Sequence, residues 1–424
     1  MKREKSPWSW IPTLYFAEGL PYFAVTVISV IMYKRLGIDN ADIALYTSWL
    51  YLPWVIKPFW SPIVDMLSTR RKWIVATQLL MGACFASIAF TIPTDDFFRW
   101  TLCVFWLMAF NSATHDIAAD GFYMLGLSEE KQSFFSGIRS IFYRIATIFG
   151  QGVLVILAGY LESATGSVAN AWSITFAIMC VMLLALGIHH RYALPEPKKD
   201  ISRSISSIKD ALKSFGHIIA AYFRKPGIKT ALLFMLLFRL PEAQLVKMIN
   251  PFLLDGKDDG GLALATEQIG ITYGTIGVIG LIIGGIAGGV CISRNGLKYW
   301  LWPMVMAISL PNLVYVYLSV MQPDNLIIIN SCIFVEQLGY GFGFTAYMLY
   351  LIYFAQGEYP TAHYAVSTAF MALGMMLPGM VSGYIQELVG YSNFFIWVML
   401  CCLATFAVSA MLKIDPSFGK KQDK

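Results

Sequence analysis

Charge is what this chain has least of. Only 13% of its 424 residues are Asp, Glu, Lys or Arg, where a soluble domain carries roughly a quarter. That scarcity excludes an ordinary soluble protein. The net charge of +5 is modest, so no nucleic-acid partner is expected. Histidine is scarce too: His115, His189, His190, His217 and His363 are scattered, with no metal-ligand spacing. The seven cysteines (84, 103, 180, 291, 332, 401 and 402) are odd in number and all lie in apolar runs. They read as small hydrophobes in packed helices. A Walker motif is missing. Gly339, Gly341 and Gly343 form no dinucleotide fingerprint, because the spacing and the strand context are both lacking. No enzyme activity, cofactor or metal is therefore expected, and any driving energy should come from an ion gradient. The basic start Met1-Lys-Arg-Glu-Lys is followed by an apolar run too long for a signal peptide, without a small-residue cleavage site. It reads as an uncleaved first helix.

What fills the chain is hydrocarbon. Hydrophobic residues make up 57% and the mean hydropathy is +0.61. Apolar runs of about 20 residues recur, the length of a bilayer-crossing helix. The fold expected is an all-α membrane protein with twelve spans, near 8–33, 43–64, 73–92, 98–121, 134–160, 169–189, 228–254, 266–292, 299–320, 325–354, 361–388 and 393–413. Of the 31 lysines and arginines, 22 lie in connections on one side and four (Lys34, Arg35, Arg99, Lys257) on the other. By the positive-inside rule both termini are cytoplasmic. One long connection divides the chain into a six-helix bundle over 1–189, a cytoplasmic linker over 190–227 and a second bundle over 228–424. In the linker, Ile201, Ile205, Ile208, Leu212, Phe215 and Ile219 alternate steps of four and three. That stripe predicts an amphipathic helix lying on membrane lipid. Six plus six is the layout of a two-bundle transporter.

Ten charges fall inside the spans, five of each sign: Glu18, Lys57, Asp116, Asp120, Arg139, Arg144, Arg239, Glu242, Lys247 and Glu336. Spans 3, 6, 9 and 12 have none in their interiors. Ionisable groups inside a membrane face a protein interior or a water path, so sparing every third helix marks those four as the lipid-facing ones. Prolines adjoin the charges at Glu18-Gly19-Leu20-Pro21, at Pro53 and Pro58 around Lys57, and at Leu240-Pro241-Glu242. Proline bends a helix and frees carbonyls, which is tolerated where backbone lines a cavity. Arg239 and Glu242, three apart, are placed to pair on one face. Arg144 has no acid at helical spacing and needs a partner from another helix, Asp116 or Glu18, or an anionic substrate. Tyr22, Trp54, Tyr143 and Tyr347 are candidates to stack on sugar rings.

The most telling stretch is Asn111-Ser-Ala-Thr-His-Asp116-Ile-Ala-Ala-Asp120-Gly121. Asp116 and Asp120 are four apart and share a helix face. Asp116 is read as the proton-coupling acid, facing Arg144 or His115. Asp120 is read as a second proton-coupling candidate and, in a division of roles with Asp116, as part of a cytoplasmic gate near Asp65, Arg70, Arg71 and Arg139. Glu18 and Glu336 are further candidates for proton coupling. Lys57, Arg144, Arg239, Glu242, Tyr143 and Trp54 are candidates for binding substrate.

After span 2 comes Ser61-Pro-Ile-Val-Asp65-Met-Leu-Ser-Thr-Arg70-Arg71-Lys72, and after span 8 a Gly-rich echo ending Arg294-Asn-Gly-Leu-Lys298. Both resemble a short loop of the major facilitator superfamily. With Gly19-Leu20-Pro21, Lys57-Pro-Phe-Trp60, Ser112-Ala-Thr-His-Asp116-Ile-Ala-Ala-Asp120, Tyr143-Arg144, Phe334-Val-Glu336-Gln-Leu-Gly-Tyr-Gly341 and Ala362-His-Tyr-Ala365, the chain resembles the AmpG-type anhydromuropeptide permeases of that superfamily. The resemblance implies proton-driven import of GlcNAc-1,6-anhydro-MurNAc peptides across a bacterial inner membrane, for peptidoglycan recycling, by a monomer. It implies that Asp116 and Asp120 are the essential acids, and that Lys57, Arg144, Arg239, Glu242 and Glu336 line the cavity. The chain departs from the family in Glu18, where a small or uncharged residue is usual, in His115 for glutamine, in the added Arg139, and in lacking the extra helices of some members. A carrier for another solute (acetyl-coenzyme A, an amino sugar, a siderophore) and a non-transporting membrane receptor remain open readings.

Overall fold

Backbone amides inside hydrocarbon must be satisfied within the chain, and a sequence of apolar runs without alternation can do this only as helix. The computed structural model describes residues 5–196 and 208–420, less the side chains of 62, 63, 65, 66, 129, 130, 133, 136 and 208–215. Among the described residues there is helix and no strand. The first half contains α1 (Pro7–Arg35), α2 (Asn40–Trp49), α3 (Leu52–Leu67), α4 (Arg70–Thr91), α5 (Phe97–Gly126), α6 (Glu129–Thr147), α7 (Leu154–Thr165) and α8 (Val168–Ala193). After α9 (Ile208–Phe223) come α10 (Ile228–Leu237), α11 (Leu240–Leu254), α12 (Thr266–Asn295), α13 (Leu297–Met321), α14 (Leu326–Ala355) and α15 (Pro360–Ala410).

Eight helices among the described residues are long and apolar enough to cross a membrane. One of them, α15, has 51 residues and holds two spans joined at Gly390, whose φ of 75° is open to glycine but costly for other residues. Three further crossings fall short of that measure for local reasons. The α2–α3 crossing is interrupted at Leu50 and Tyr51, and the α10–α11 crossing at Phe238 and Arg239. α5 is 30 residues long but carries Arg99, Asp116 and Asp120. These together are the twelve spans read from the sequence. Spans 3, 6, 9 and 12 expose large apolar side chains, among them Phe90, Val181, Val320 and Leu403, as lipid-facing helices should.

The chain divides into two compact units, Met1–Leu36 with Ile56–Phe215, and Gly37–Val55 with Gly216–Lys424. In the first, α1 packs on α6 and α4 packs on both α5 and α8, around Trp10, Tyr15, Ile74 and Phe122. Pro21 cannot donate to the carbonyl four residues back, and α1 widens into a π turn directly after it, over Ala24–Ile28. A second π turn, Ile148–Val153, follows α6 and meets the first; the bare Gly150 lies against Phe23 there.

The second unit takes in α2, which packs on α11 and α15. Asn40 donates to Gln386 Oε1 (2.6 Å) and Tyr391 Oη (2.9 Å), and Glu387 accepts from the Ala41 amide at 2.8 Å. The linker helix α9 is anchored here by its end. Tyr222 is buried with its hydroxyl 2.9 Å from Ser367 Oγ, and Lys225 donates to the carbonyls of Phe354 and Gln356. Its stripe from Ile201 to Phe215 lies outside the described residues. The closest helix contact in this unit is α12 on α14. A Cβ on Gly284 would overlap the Leu338 carbonyl, and one on Gly341 would overlap that of Leu281. Gly289, one turn along, has open space. Gly284→Val should therefore cost about 3 kcal/mol or more and Gly289→Val almost nothing, measured as thermal unfolding in detergent micelles.

Candidate functional site

α5 brings Asp116 and Asp120 to one face, a turn apart, and gives each its own cation. Asp116 forms an ion pair with Lys57 of α3. Glu18 of α1 lies against Asp116 within hydrogen-bonding contact. Next to Glu18, α1 is bare at Gly19, where a Cβ would stand 2.8 Å from Ala146 of α6. Tyr143 packs at the same bare position, 3.5 Å from it, with its ring 5.7 Å from Phe23. Glu18 is buried, and its Oε2 has no hydrogen-bond partner. Two carboxyls in contact are stable when they share one proton, and Lys57 balances the remaining charge. The arrangement is therefore two carboxyls in contact beside one cation.

Asp120 belongs to a second cluster. Arg139 Nη2 of α6 is 2.9 Å from its Oδ1. The guanidinium lies 4.6 Å over the Tyr15 ring and 5.4 Å from that of Tyr123. The Tyr15 hydroxyl reaches Asp120 at 3.5 Å. Arg70 packs its guanidinium onto Gly121, the next residue, where a side chain would collide with it. So Arg70, Asp120 and Arg139 gather as the sequence suggested, whereas Arg71 turns to α8, donating to the Arg191 carbonyl and pairing with Glu196 at 3.2 Å. The side chain of Asp65 lies outside the described residues. The Arg139–Asp120 pair is more than a third exposed, 34% and 40%, and such pairs contribute about 1 kcal/mol at most.

Several expectations need correction. The partner of Asp116 is Lys57, not His115. Neighbours on a helix point about 100° apart, and His115 turns away into the bundle. Its Nε2 is 2.9 Å from the Gln78 amide, whose oxygen is 2.8 Å from His190 Nδ1; His190 Nε2 is in turn 2.9 Å from Thr13 Oγ1. That chain of neutral polar groups ties α5, α4, α8 and α1 together. Arg144 is exposed on α6. Tyr347 is fully buried and donates to the Met235 carbonyl at 2.7 Å, so it belongs to the core and lines no cavity.

In the second unit the crossing breaks at Phe238 and Arg239, and the first turn of α11 still joins Arg239 to Glu242, with the Arg239 carbonyl accepting from the Ala243 amide at 2.8 Å. Arg239 has φ −99° and ψ 17°. It donates to the Tyr340 hydroxyl at 2.6 Å and sits 4.8 Å over the Phe344 ring. Glu242 is buried in the first turn of α11. Glu336 is buried on α14 and accepts from Tyr315 (2.8 Å) and Gln337 (3.0 Å). Trp54 falls in this unit, its ring 6.4 Å from that of Tyr51, while Lys57 falls in the other. Sequence reasoning missed Tyr15, Tyr123, Tyr315 and Tyr340. Tyr15 and Tyr123 were findable, since each stands three residues from an acid, Glu18 and Asp120. Tyr340, four residues from Glu336, carried the same signal, and Tyr315 had none.

Charged clusters buried on kinked, apolar helices define a polytopic membrane transporter. A family model described as the Major Facilitator Superfamily matches residues 13–383, and the chain belongs to that superfamily. It is 24% identical over 392 residues to an anhydromuropeptide permease of Escherichia coli strain K12, covering 91% of this chain and 75% of that protein. It is 25% identical over 406 residues to a transporter of Rickettsia conorii named AmpG 4, covering 92% of each. Among solved structures, a D-xylose-proton symporter superposes with a TM-score of 0.72 at 11% identity over 97% of this chain and 98% of that one, a likeness of fold alone. These relatives are transporters and not enzymes.

Removing one partner of a buried pair strands the other charge. Lys57→Met should therefore lower stability by about 2 kcal/mol, less than for a fully sealed pair because Lys57 and Asp116 are 27% and 23% exposed. Lys57→Met with Asp116→Asn should lose less than Lys57→Met alone. Arg139→Met should cost under about 1 kcal/mol. Thermal unfolding of these three variants and of Asp116→Asn alone checks the ranking, and additive losses at Lys57 and Asp116 would refute the pair.

Proposed function

We propose that the chain imports cell-wall muropeptides, GlcNAc-1,6-anhydro-MurNAc peptides, across a bacterial inner membrane in symport with protons. Both termini lie in the cytoplasm, as the lysine and arginine distribution requires, and the working form is the monomer. The observation that carries the reading is the contact of Glu18 with Asp116 beside Lys57. A proton held between two carboxyls leaves one negative charge for Lys57 to balance. Losing that proton leaves a carboxylate uncompensated in low dielectric, and only a changed packing or a new cation relieves it. Coupling of this kind ties proton release to movement of α1, whose Pro21 and π turn leave it deformable.

The substrate suits the charges available. In the first unit Lys57 and Arg144 suit its peptide carboxylates and Tyr143 its sugar rings; in the second, taken by itself, Arg239 and Trp54 offer the same two chemistries. The similarity to the named permease and the paired aspartates of α5 support the same ligand class. The Asp120–Arg139–Arg70 cluster, partly exposed, acts as the gate, and Asp116 with Glu18 carries the proton.

Uptake of a labelled anhydromuropeptide into cells should collapse with an uncoupler. Asp116→Asn should reduce accumulation by about a hundredfold and Asp120→Asn by about tenfold or less, as expected if only the first removes the proton-carrying group. Uptake that persists without a proton gradient would sink the coupling. No measurable muropeptide binding would sink the substrate assignment and favour a carrier for another solute. Equal, mild losses in the two variants would end the division of roles.

A further inference from the structure

The two helices that carry the touching carboxyls, α1 with Glu18 and α5 with Asp116, are tied to the same glutamine. Gln78 is on α4 and fully buried. Its Nε2 is 2.9 Å from Nε2 of His115, the residue before Asp116 on α5. Its Oε1 is 2.8 Å from His190 Nδ1 on α8, and His190 Nε2 is 2.9 Å from Oγ1 of Thr13 on α1, five residues before Glu18. Both histidines are buried as well. The glutamine is itself closely held. Gly187 of α8 is bare against it, and a Cβ there would stand 3.4 Å from Gln78 Cβ; one turn along α4, a Cβ on Gly82 would overlap Leu184 of α8. α4 and α8 run without interruption, and α5 and α1 pack against them.

Helix geometry carries the tie through to the carboxyls. Asp116 is about 100° around α5 from His115; Glu18 is about 140° around α1 from Thr13 and about 7.5 Å along it. Each helix is held on a face turned well away from its carboxyl. Between Thr13 and Glu18, α1 is regular helix. The other polar contacts of α1 with α5 do less for this register. Tyr33 reaches Thr101 Oγ1 at 2.9 Å, but Pro21 and the π turn at Ala24–Ile28 separate it from Glu18. Tyr15 reaches Asp120 at 3.5 Å, a long contact inside the second cluster. Buried polar contacts fix the register of packed helices where apolar side chains alone leave it loose. A hydrogen bond between two carboxyls needs its oxygens within about 3 Å, so a small slip of α1 along α5 undoes it.

Resting on the reading of proton symport, we propose that Gln78 is a positioning residue for the Glu18–Asp116 pair, setting α1 and α5 in the register that lets the two carboxyls share a proton. It carries no proton itself. An amide offers a carbonyl oxygen and an NH2 group and does not titrate, so the chain from His115 to Thr13 is a brace and not a path. Its two polar atoms serve two helices at once, one through His115 and the other through His190. Methionine has nearly the same length and volume and neither atom, so Gln78→Met cuts both ties while filling the space.

The test is purified protein in proteoliposomes with GlcNAc-1,6-anhydro-MurNAc tripeptide. Accumulation driven by an imposed pH gradient is compared with exchange of labelled for unlabelled substrate at equal pH. Gln78→Met should lose accumulation by about tenfold or more while the rate and KM of exchange stay within about threefold. Thr13→Val keeps the side chain's shape and leaves Gln78 in place, and should lose accumulation by about fivefold with exchange kept. His115→Gln retains a donor and an acceptor at a similar reach, and should accumulate within about twofold of the wild type. Accumulation at the wild-type level in folded Gln78→Met or in Thr13→Val overturns the proposal, and Thr13→Val decides it where Gln78→Met does not fold. Exchange that falls in step with accumulation in either variant also overturns it, since that marks a general packing defect. So does a His115→Gln protein as impaired as Gln78→Met. Wild-type accumulation indifferent to the gradient would defeat the symport reading itself, and is told apart because it needs no variant.

Discussion

A charge inside hydrocarbon has to be answered, and most of what distinguishes this protein follows from how its ten intramembrane charges are answered. Insertion of one such group at mid-membrane costs on the order of 3 kcal/mol. An α-helical bundle has only a limited set of partners to offer against that. The N-terminal unit uses opposite charge. Asp116 has Lys57, Asp120 has Arg139, and Glu18 shares contact with Asp116. The C-terminal unit sets Glu242 within electrostatic reach of Arg239 and otherwise draws on neutral groups. Arg239 has the Tyr340 hydroxyl and the face of Phe344, Glu336 has Tyr315 and Gln337, and Lys247 has Thr47.

The difference has mechanical consequences. An ion pair fixes charge states and resists the loss of either member. A carboxyl or amine held only by hydroxyls and amides can change its protonation without stranding a partner. Some of the helices that carry these groups are irregular. α1 has a proline and a π turn within a few residues of Glu18, and the α10–α11 crossing breaks at Arg239 itself. α4 and α8, which carry no charge in their interiors, run without interruption. The match is partial: α5 and α14 carry Asp116, Asp120 and Glu336 without a break, and α12 and α13, whose interiors carry no charge, contain a π turn at Thr272–Gly277 and a 3-10 turn at Leu310–Asn312.

Much of this was legible in the sequence. The twelve crossings and the lipid-facing role of every third span follow from where charge is absent, and absence is easy to read. The joining of Asp120 to Arg139 was legible because both lie near the ends of neighbouring spans. The partner of Asp116 was not, because it comes from α3, which no helical spacing connects to α5. His115 was misjudged for a related reason: sequence adjacency to an acid says little on a helix, where neighbours face different ways. Arg239 and Glu242 share the first turn of α11, as their spacing of three suggested, because the Arg239 carbonyl opens that helix by accepting from the Ala243 amide. The placement of residues 37–55 with the C-terminal unit had no sequence signal, since Asn40, Thr47 and Ser48 are ordinary polar residues until Gln386, Lys247 and Gly379 are set against them.

The central claim is that substrate and proton move together through a group in contact with Lys57. The most direct measurement places purified protein in proteoliposomes loaded with a pH-sensitive dye, at equal pH and with no imposed gradient, and adds a defined anhydromuropeptide outside. The account predicts acidification of the lumen on addition of the muropeptide, absent with an unrelated disaccharide and absent in Asp116→Asn. Entry of labelled muropeptide with no change in luminal pH would contradict it.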